Sequence, residues 1–330
     1  MSGPKRISMP KNLSNLGGLL FALIAIFVLF AKIVPNNRFQ SLDNIETIAR
    51  QSVIVCLVSL GSAYVIISAG IDLSVGSAAA CSSVTVAASL AWLHLSPATA
   101  LIIGILTGVG WGLINGILVT KLGVGPFIVT LSTYLIVRAA ATGIAHENAI
   151  YGNPTWLDSL VSDVGKRHAW MLMPVGVWLT LLLAIIMSIC LKYTRFGRHV
   201  VAVGSNEMAA KLCGVPVNRV KLAVYAISGA FAGLAGVMLY SRLTEGDPTA
   251  AQGLELSAIA AVVIGGASLN GGEGSIMGAI IGALIMQVIS SGSAEKGLPN
   301  WVQQIVTGII ILIAVGLDRW RARRSLLSSG

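Results

Sequence analysis

The sequence predicts an all-α polytopic membrane protein of about ten transmembrane helices, and three observations carry that prediction. Hydrophobic residues make up 55% of the chain and charged residues only 11%, whereas soluble domains carry roughly a quarter charged. So little charge leaves too little polar surface to face water all round, and lipid is the expected solvent. The apolar residues gather in long windows, each at or near the length that crosses a hydrocarbon core of about 30 Å. The basic residues, which set the net charge of +9, collect between those windows on one side. They do not form the aromatic-interleaved basic face that nucleic acid requires, so no nucleic-acid partner is expected.

Taken in order, the first window, Leu16 to Val34, follows Lys5, Arg6 and Lys11. Its end, Ala31-Lys-Ile-Val-Pro35, offers no small-residue cleavage site, so it reads as an uncleaved anchor. Ser52 to Ser68 is the second window, and Ser74 to Trp92 the third. The fourth, Thr99 to Val119, carries Gly104, Gly108, Gly112 and Gly116 at every fourth position. That smooth ridge admits another helix at close range, within this subunit or across a dimer. Pro126 to Ala145 opens on proline and contains Arg138, expected to snorkel outward or pair with an acid. Met171 to Leu191 and Leu222 to Leu243 flank the longest polar connection, and the latter repeats the glycine spacing at Gly229 and Gly233. Leu256 to Leu269 is the shortest window; Ser275 to Ser291, with Gly278 and Gly282, and Trp301 to Leu317 complete the set.

This count puts Lys121, Lys192, Arg195, Arg198, Lys211, Arg219, Lys221 and both termini on one side, which the positive-inside bias makes cytoplasmic. Lys32, Arg38 and Arg50 run against the trend, interspersed with Asp43 and Glu46. The chain then divides into a cytoplasmic tail (1–15), a transmembrane domain (16–317) with a cytoplasmic loop (192–221), and a second tail (318–330).

Between the second and third windows lies Gly70-Ile-Asp-Leu-Ser-Val-Gly-Ser. A carboxylate at membrane depth costs several kcal/mol unless it faces protein or water, so Asp72 marks a site. It caps the next helix once Gly70 has ended the preceding one, or it contacts polar cargo, or both. The segment aligns with Gly253-Leu-Glu-Leu-Ser-Ala-Ile-Ala-Ala-Val, acid on acid, five windows later. A repeat of that offset implies two five-span halves inverted relative to one another, a kind of fold that binds cargo between its halves; the alternative is chance likeness between apolar, small-residue segments.

Enzymatic constellations are missing. His94, His146, His168 and His199 are scattered without an HExxH pair, and no G-x-S-x-G elbow presents a serine. Cys56, Cys81 and Cys190 sit inside apolar windows and, with Cys213, give neither a disulfide framework nor metal-ligand spacing. The glycine cluster Gly265 to Gly274 lacks the GK[ST] ending of a phosphate loop, and Gly165-Lys166 lacks the upstream glycine. Nucleotide hydrolysis is therefore not expected of this chain.

The connection Lys192 to Lys221 contains Gly204-Ser-Asn-Glu-Met-Ala-Ala-Lys-Leu-Cys-Gly214-Val-Pro216. Ser205 or Asn206 starts a helix of about two turns, and Gly214 with Pro216 stops it. Met208 with Leu212, and Ala209 with Cys213, form a small apolar stripe, suited to a partner's groove, to the membrane surface or to the protein's own body.

Asn206-x-x-Ala209-Ala210-x-x-x-Gly214-Val215 resembles the coupling-loop motif of bacterial ATP-binding-cassette importer permeases. Gly70-Ile-Asp-Leu-Ser-Val-Gly76 is similar to the signature of the ribose-type branch, with Phe127-Ile-Val-Thr-Leu131, Gly253 to Ala261, Gly265 to Gly274 and Gln304-Ile-Val-x-Gly308 as further matches. Ser291 to Leu298 departs from the family pattern before the last window. The resemblance implies an inner-membrane permease that imports a monosaccharide or related polyol by alternating access. It implies a second permease copy, identical or related, and a periplasmic sugar-binding protein. It also implies an ATPase subunit that holds ATP and Mg, this chain holding no cofactor. On that reading Asn206, Glu207, Ala209, Ala210, Leu212 and Gly214 engage the ATPase. A sugar path needs hydroxyl-compatible groups, which nominates Asp72, Ser74, Asn115, Thr130, Ser132, Tyr134 and Gln287. The alternatives are a secondary transporter taking protons through Asp72 and Glu255, and a passive channel.

Overall fold

The structure is a computed structural model that describes residues 11–162 and 172–328. Lys5, Arg6, the Gly165-Lys166 pair and His168 lie outside them. Twelve α-helices follow one another in the described residues: α1 (Lys11–Ile33), α2 (Leu42–Ile67), α3 (Val75–Ala91), α4 (Pro97–Lys121), α5 (Pro126–Ile144), α6 (Val175–Tyr193), α7 (Arg195–Ser205), α8 (Glu207–Leu212), α9 (Val217–Leu243), α10 (Leu254–Ile264), α11 (Ile276–Glu295) and α12 (Asn300–Ser328). The strand content is one two-residue antiparallel pair among the described residues, β1 (Ile150–Tyr151) on β2 (Glu245–Gly246).

Among the described residues seven helices, α1, α2, α4, α5, α6, α9 and α11, are long and apolar enough to cross a membrane. Three shorter apolar helices, α3, α10 and the first part of α12, occupy the remaining windows. The chain is a multi-pass helical membrane protein. One boundary moves outward and one helix is added, each for a local reason. α2 begins at Leu42, ten positions before its apolar window, because the Ser41 hydroxyl accepts the Asn44 amide and Asp43 sits in the first turn. α7 was not expected: Thr194 caps it, its hydroxyl accepting the Gly197 amide, and Gly197, Val200, Val203 and Gly204 bury one face.

α2, α9 and α11 are the inner helices, while α1, α4, α5 and α6 present large apolar side chains outward. The glycine ridge is an internal contact. A methyl group on Gly108 would overlap the Gly229 carbonyl and Gly233 backbone, and one on Gly112 would overlap the Tyr225 carbonyl. α4 and α9 therefore meet backbone to backbone, as small-residue faces do in lipid. The Ser82 hydroxyl of α3 bridges the two, 2.9 Å from the Gly104 carbonyl and 2.8 Å from that of Gly233. In each half of the chain a long inner helix, α2 or α9, gives way to non-helical backbone and then to a short helix, α3 or α10.

Candidate functional site

α2 ends at Ser68, and the residue that takes the left-handed conformation beyond it is Ala69 (φ 61), not Gly70. The Ala69 amide donates to Ile66 and the Gly70 amide to Val65, closing the helix as a Schellman turn. Gly70 is needed for space instead: a methyl there would press on the Tyr225 hydroxyl and on Val65. From this turn the chain runs as non-helical backbone to Ser74, the residue before α3.

Asp72 is the hub of that segment and is buried. Its Oδ1 accepts the Ser74 amide at 3.0 Å and the Ser74 hydroxyl at 2.7 Å; its Oδ2 accepts the Ser228 hydroxyl of α9 at 2.9 Å. Asp72 thus does bond at the start of α3, two residues ahead of the cap position, and it also ties α3 to α9. Asn115 of α4 donates to the Ser74 hydroxyl at 2.7 Å. The Ile71 carbonyl accepts the Thr130 hydroxyl of α5 at 3.1 Å and the Tyr225 hydroxyl of α9 at 3.4 Å. The structure therefore brings together Asp72, Ser74, Asn115 and Thr130, in a cluster of hydroxyls and one amide around one carboxylate.

The other three nominated residues lie apart from it. The Ser132 side chain is exposed on α5, its hydroxyl donating to Ile128 of its own helix at 2.9 Å. Tyr134 is half-buried, with the Arg138 guanidinium 5.8 Å from its ring centre. Gln287 of α11 donates to the Gln51 side chain at 2.7 Å, about 24 Å along α2 from Ile67 at 1.5 Å per residue.

Two residues of the cluster, Ser228 and Tyr225, escaped the sequence reading. Their helix was legible only as a packing surface around Gly229 and Gly233, and nothing local marks Ser228 as the partner of an acid 156 positions away. Among the described residues no acid lies within ion-pair distance of Arg138. Its Nη1 donates at 2.7 Å to the carbonyls of both Pro248 and Ala250, clamping the segment that leads into α10. At the far end of that segment the buried Glu255 accepts the Gly253 amide at 3.2 Å through Oε1, and its Oε2 lies against Gly76 of α3. Gly76 leaves room for that carboxylate because it has no side chain.

The short helix α8 sits in the connection between α6 and α9. The Asn206 side chain accepts the Ala209 amide at 2.9 Å. At the other end the Gly214 (φ +80) amide donates to Lys211 and the Val215 amide to Ala210, a second Schellman turn. Ala210 is buried, and Lys221 of α9 pairs with Glu207 at 2.7 Å. Met208, Ala209, Leu212 and Cys213 face outward, Leu212 at 83% exposure. With the apolar stripe pointing away from its own body, α8 is free to contact something else.

The profile of the family described as "Branched-chain amino acid transport system / permease component" matches residues 44–315. The ribose import permease of Bacillus subtilis (strain 168) is 38% identical over 96% of this chain and 96% of its own length. The D-allose transport system permease of Escherichia coli (strain K12) is 37% identical, covering 92% of this chain and 91% of its own. The L-arabinose transport system permease of the same strain is 35% identical, covering 93% and 91%. No solved structure matches the chain.

Proposed function

Because the chain belongs to the family of branched-chain amino acid transport system permease components, and within it to the sugar permeases, we propose that it carries a monosaccharide or small polyol inward across the bacterial inner membrane, as the membrane subunit of an ATP-driven importer. The observation that carries this reading is the end-to-end likeness to sugar permeases, over nine-tenths or more of both chains. The geometry around Asp72 supports it. Hydroxyl, amide and carboxylate groups exchange partners readily with the hydroxyls of a sugar, whereas a zwitterionic amino acid needs a cation and an anion held apart for its two charged ends.

On this reading ten crossings, counting α3, α10 and α12, form two inverted five-span halves with both termini in the cytoplasm. Asp72, Ser74, Asn115 and Thr130 are the polar groups of the path, and Ser132, Tyr134 and Gln287 remain proposed lining. α8 docks in the ATPase subunit through Asn206, Glu207, Ala209, Leu212 and Gly214, with buried Ala210 as its anchor. ATP and Mg belong to that subunit, a periplasmic binding protein delivers the cargo, and a second permease copy completes the path. Nucleotide binding closes the ATPases, the α8 helices follow, and the helices joined to them open the path on the opposite face.

The test is uptake into vesicles reconstituted with the permease, its ATPase and its binding protein. D-ribose, D-allose and L-arabinose are offered in parallel with L-leucine. Uptake of at least one sugar that needs internal ATP and stops with vanadate is expected. Uptake that proceeds without the ATPase and collapses with a protonophore would make the chain a secondary transporter, and leucine uptake alone would overturn the sugar assignment.

A further inference from the structure

α7 and α8 share a residue. Asn206 closes α7 by donating its amide to Ala202 at 3.1 Å, and opens α8 by accepting the Ala209 amide. No linker separates the two, so α8 cannot be displaced without carrying the end of α7 with it.

The end of α7 rests on bare backbone. A methyl group on Gly204 would overlap the Ile67 carbonyl and crowd the Gly272 amide. That same Ile67 carbonyl accepts the Gly272 amide at 2.8 Å. Gly271 (φ +83) has no room for a side chain beside Ala69 and the Gly204 carbonyl, and Gly272 (φ +77) has none beside Ser205. Three segments therefore meet through backbone atoms of Gly204, Ile67, Gly271 and Gly272, with only the Ala69 methyl and the Ser205 side chain beside them: the end of α7, the final turn of α2, and the loop joining α10 to α11. A side-chain contact can absorb a shift by changing rotamer. Touching backbones cannot, so such a joint transmits motion in place of damping it.

Each of the two segments held against α7 leads directly to one of the acids. From Ile67 the chain passes through the Ala69 turn to Asp72. From the 265–274 loop it runs back along α10 to Glu255, the second of that helix's eleven residues, with Gly265 pressed on the Gly278 carbonyl and Gly282 on that of Ala261. We infer that Gly204, Gly271 and Gly272 form the joint through which displacement of α8 enters both interrupted helices at once, which makes them positioning residues for transport. The inference rests on the importer reading and adds to it where the stroke is delivered.

The experiment compares wild type with Gly204→Ala in vesicles containing the ATPase and the binding protein, following ATPase co-purification, basal hydrolysis, binding-protein-stimulated hydrolysis and D-ribose uptake. Gly204 lies in α7, outside the residues proposed to dock, and packs on Ile67 and Gly272, so co-purification and basal hydrolysis are expected to stay within about twofold. Stimulated hydrolysis and uptake are expected to fall about tenfold or more, the size of an ordinary coupling free energy. Gly272→Ala guards against misfolding: its methyl presses first on the Ser205 hydroxyl, which can turn away, and alanine holds the left-handed conformation elsewhere in this chain at Ala69, so the variant should insert and lose part of the stimulation. Gly110→Ala, where the methyl meets open space, should match wild type. Full coupling in an inserted Gly204→Ala protein overturns the joint, as does full coupling in Gly272→Ala if Gly204→Ala fails to insert. Absence of ATP-driven uptake of D-ribose, D-allose and L-arabinose alike in wild type would overturn the importer reading itself and leave the three variants indistinguishable.

Discussion

At the scale of single residues, Asp72 separates structural from transport roles. A hydrogen bond to a charged group contributes about 1.5–3 kcal/mol, so three such bonds offset a placement at membrane depth that costs about 2.5–3.5 kcal/mol. Asp72→Asn keeps an acceptor for the Ser74 amide, and the Ser228 hydroxyl can turn to accept from the new amide group. Folding should survive, with thermal stability of the purified protein changed by less than about 1 kcal/mol, while sugar uptake falls about tenfold as the carboxylate leaves the path. Asp72→Leu strands the Ser74 amide, the Ser74 hydroxyl and the Ser228 hydroxyl, at about 1–3 kcal/mol each, and should lower both folded yield and uptake. Normal uptake by Asp72→Asn beside a misfolded Asp72→Leu would leave the residue a purely structural one.

At the scale of elements, α8 shows how a segment too short to be helical alone is made so by its ends. Six residues lie well below the length at which isolated helices persist. The Asn206 cap, the Gly214 turn, buried Ala210 and the Lys221–Glu207 pair hold it. Gly214 meets open space, so the cost of Gly214→Val is conformational, about 1–2 kcal/mol for a residue forced into the left-handed region and more for a β-branched one. The permease should insert as wild type yet lose binding-protein-stimulated hydrolysis, because the last turn of α8 no longer closes. Retained stimulation would remove α8 from the coupling path. The contrast with Gly204 is useful: one glycine is required for its dihedral angle, the other for the absence of a methyl group.

At the scale of the whole molecule, the orientation is open to a two-sided labelling experiment. Cys213 is exposed on α8, whereas Cys56 and Cys81 are buried. Tyr151, between α5 and α6, is 73% exposed. With ten crossings these two positions fall on opposite faces. On a background with Cys190 replaced, a membrane-impermeant thiol reagent should leave Cys213 untouched in spheroplasts and modify it in inside-out vesicles, with protection when the ATPase is added. A protein carrying Tyr151→Cys with both Cys190 and Cys213 replaced should show the reverse. Modification of both positions from one face would remove an odd number of spans from the count.

What the sequence determined by itself was the class and the punctuation. Apolar windows, charge placement and the Asn206 to Pro216 helix signals depend on residues near one another in the chain, and lipid enforces the pattern because any span must satisfy its own backbone. The acid of the Gly70 to Ser77 segment was legible as a group needing polar partners for the same reason: a charge among apolar residues stands out without its partner being known. The partners were decided by tertiary structure. Ser228 and Tyr225 bond Asp72 and Ile71, Arg138 grips Pro248 and Ala250, and Gly204 seats on Ile67 across separations of more than a hundred residues. Those contacts come from how α9, α5 and α7 pack. A glycine needed for close approach looks, in sequence, like any other glycine in a chain that has 37 of them.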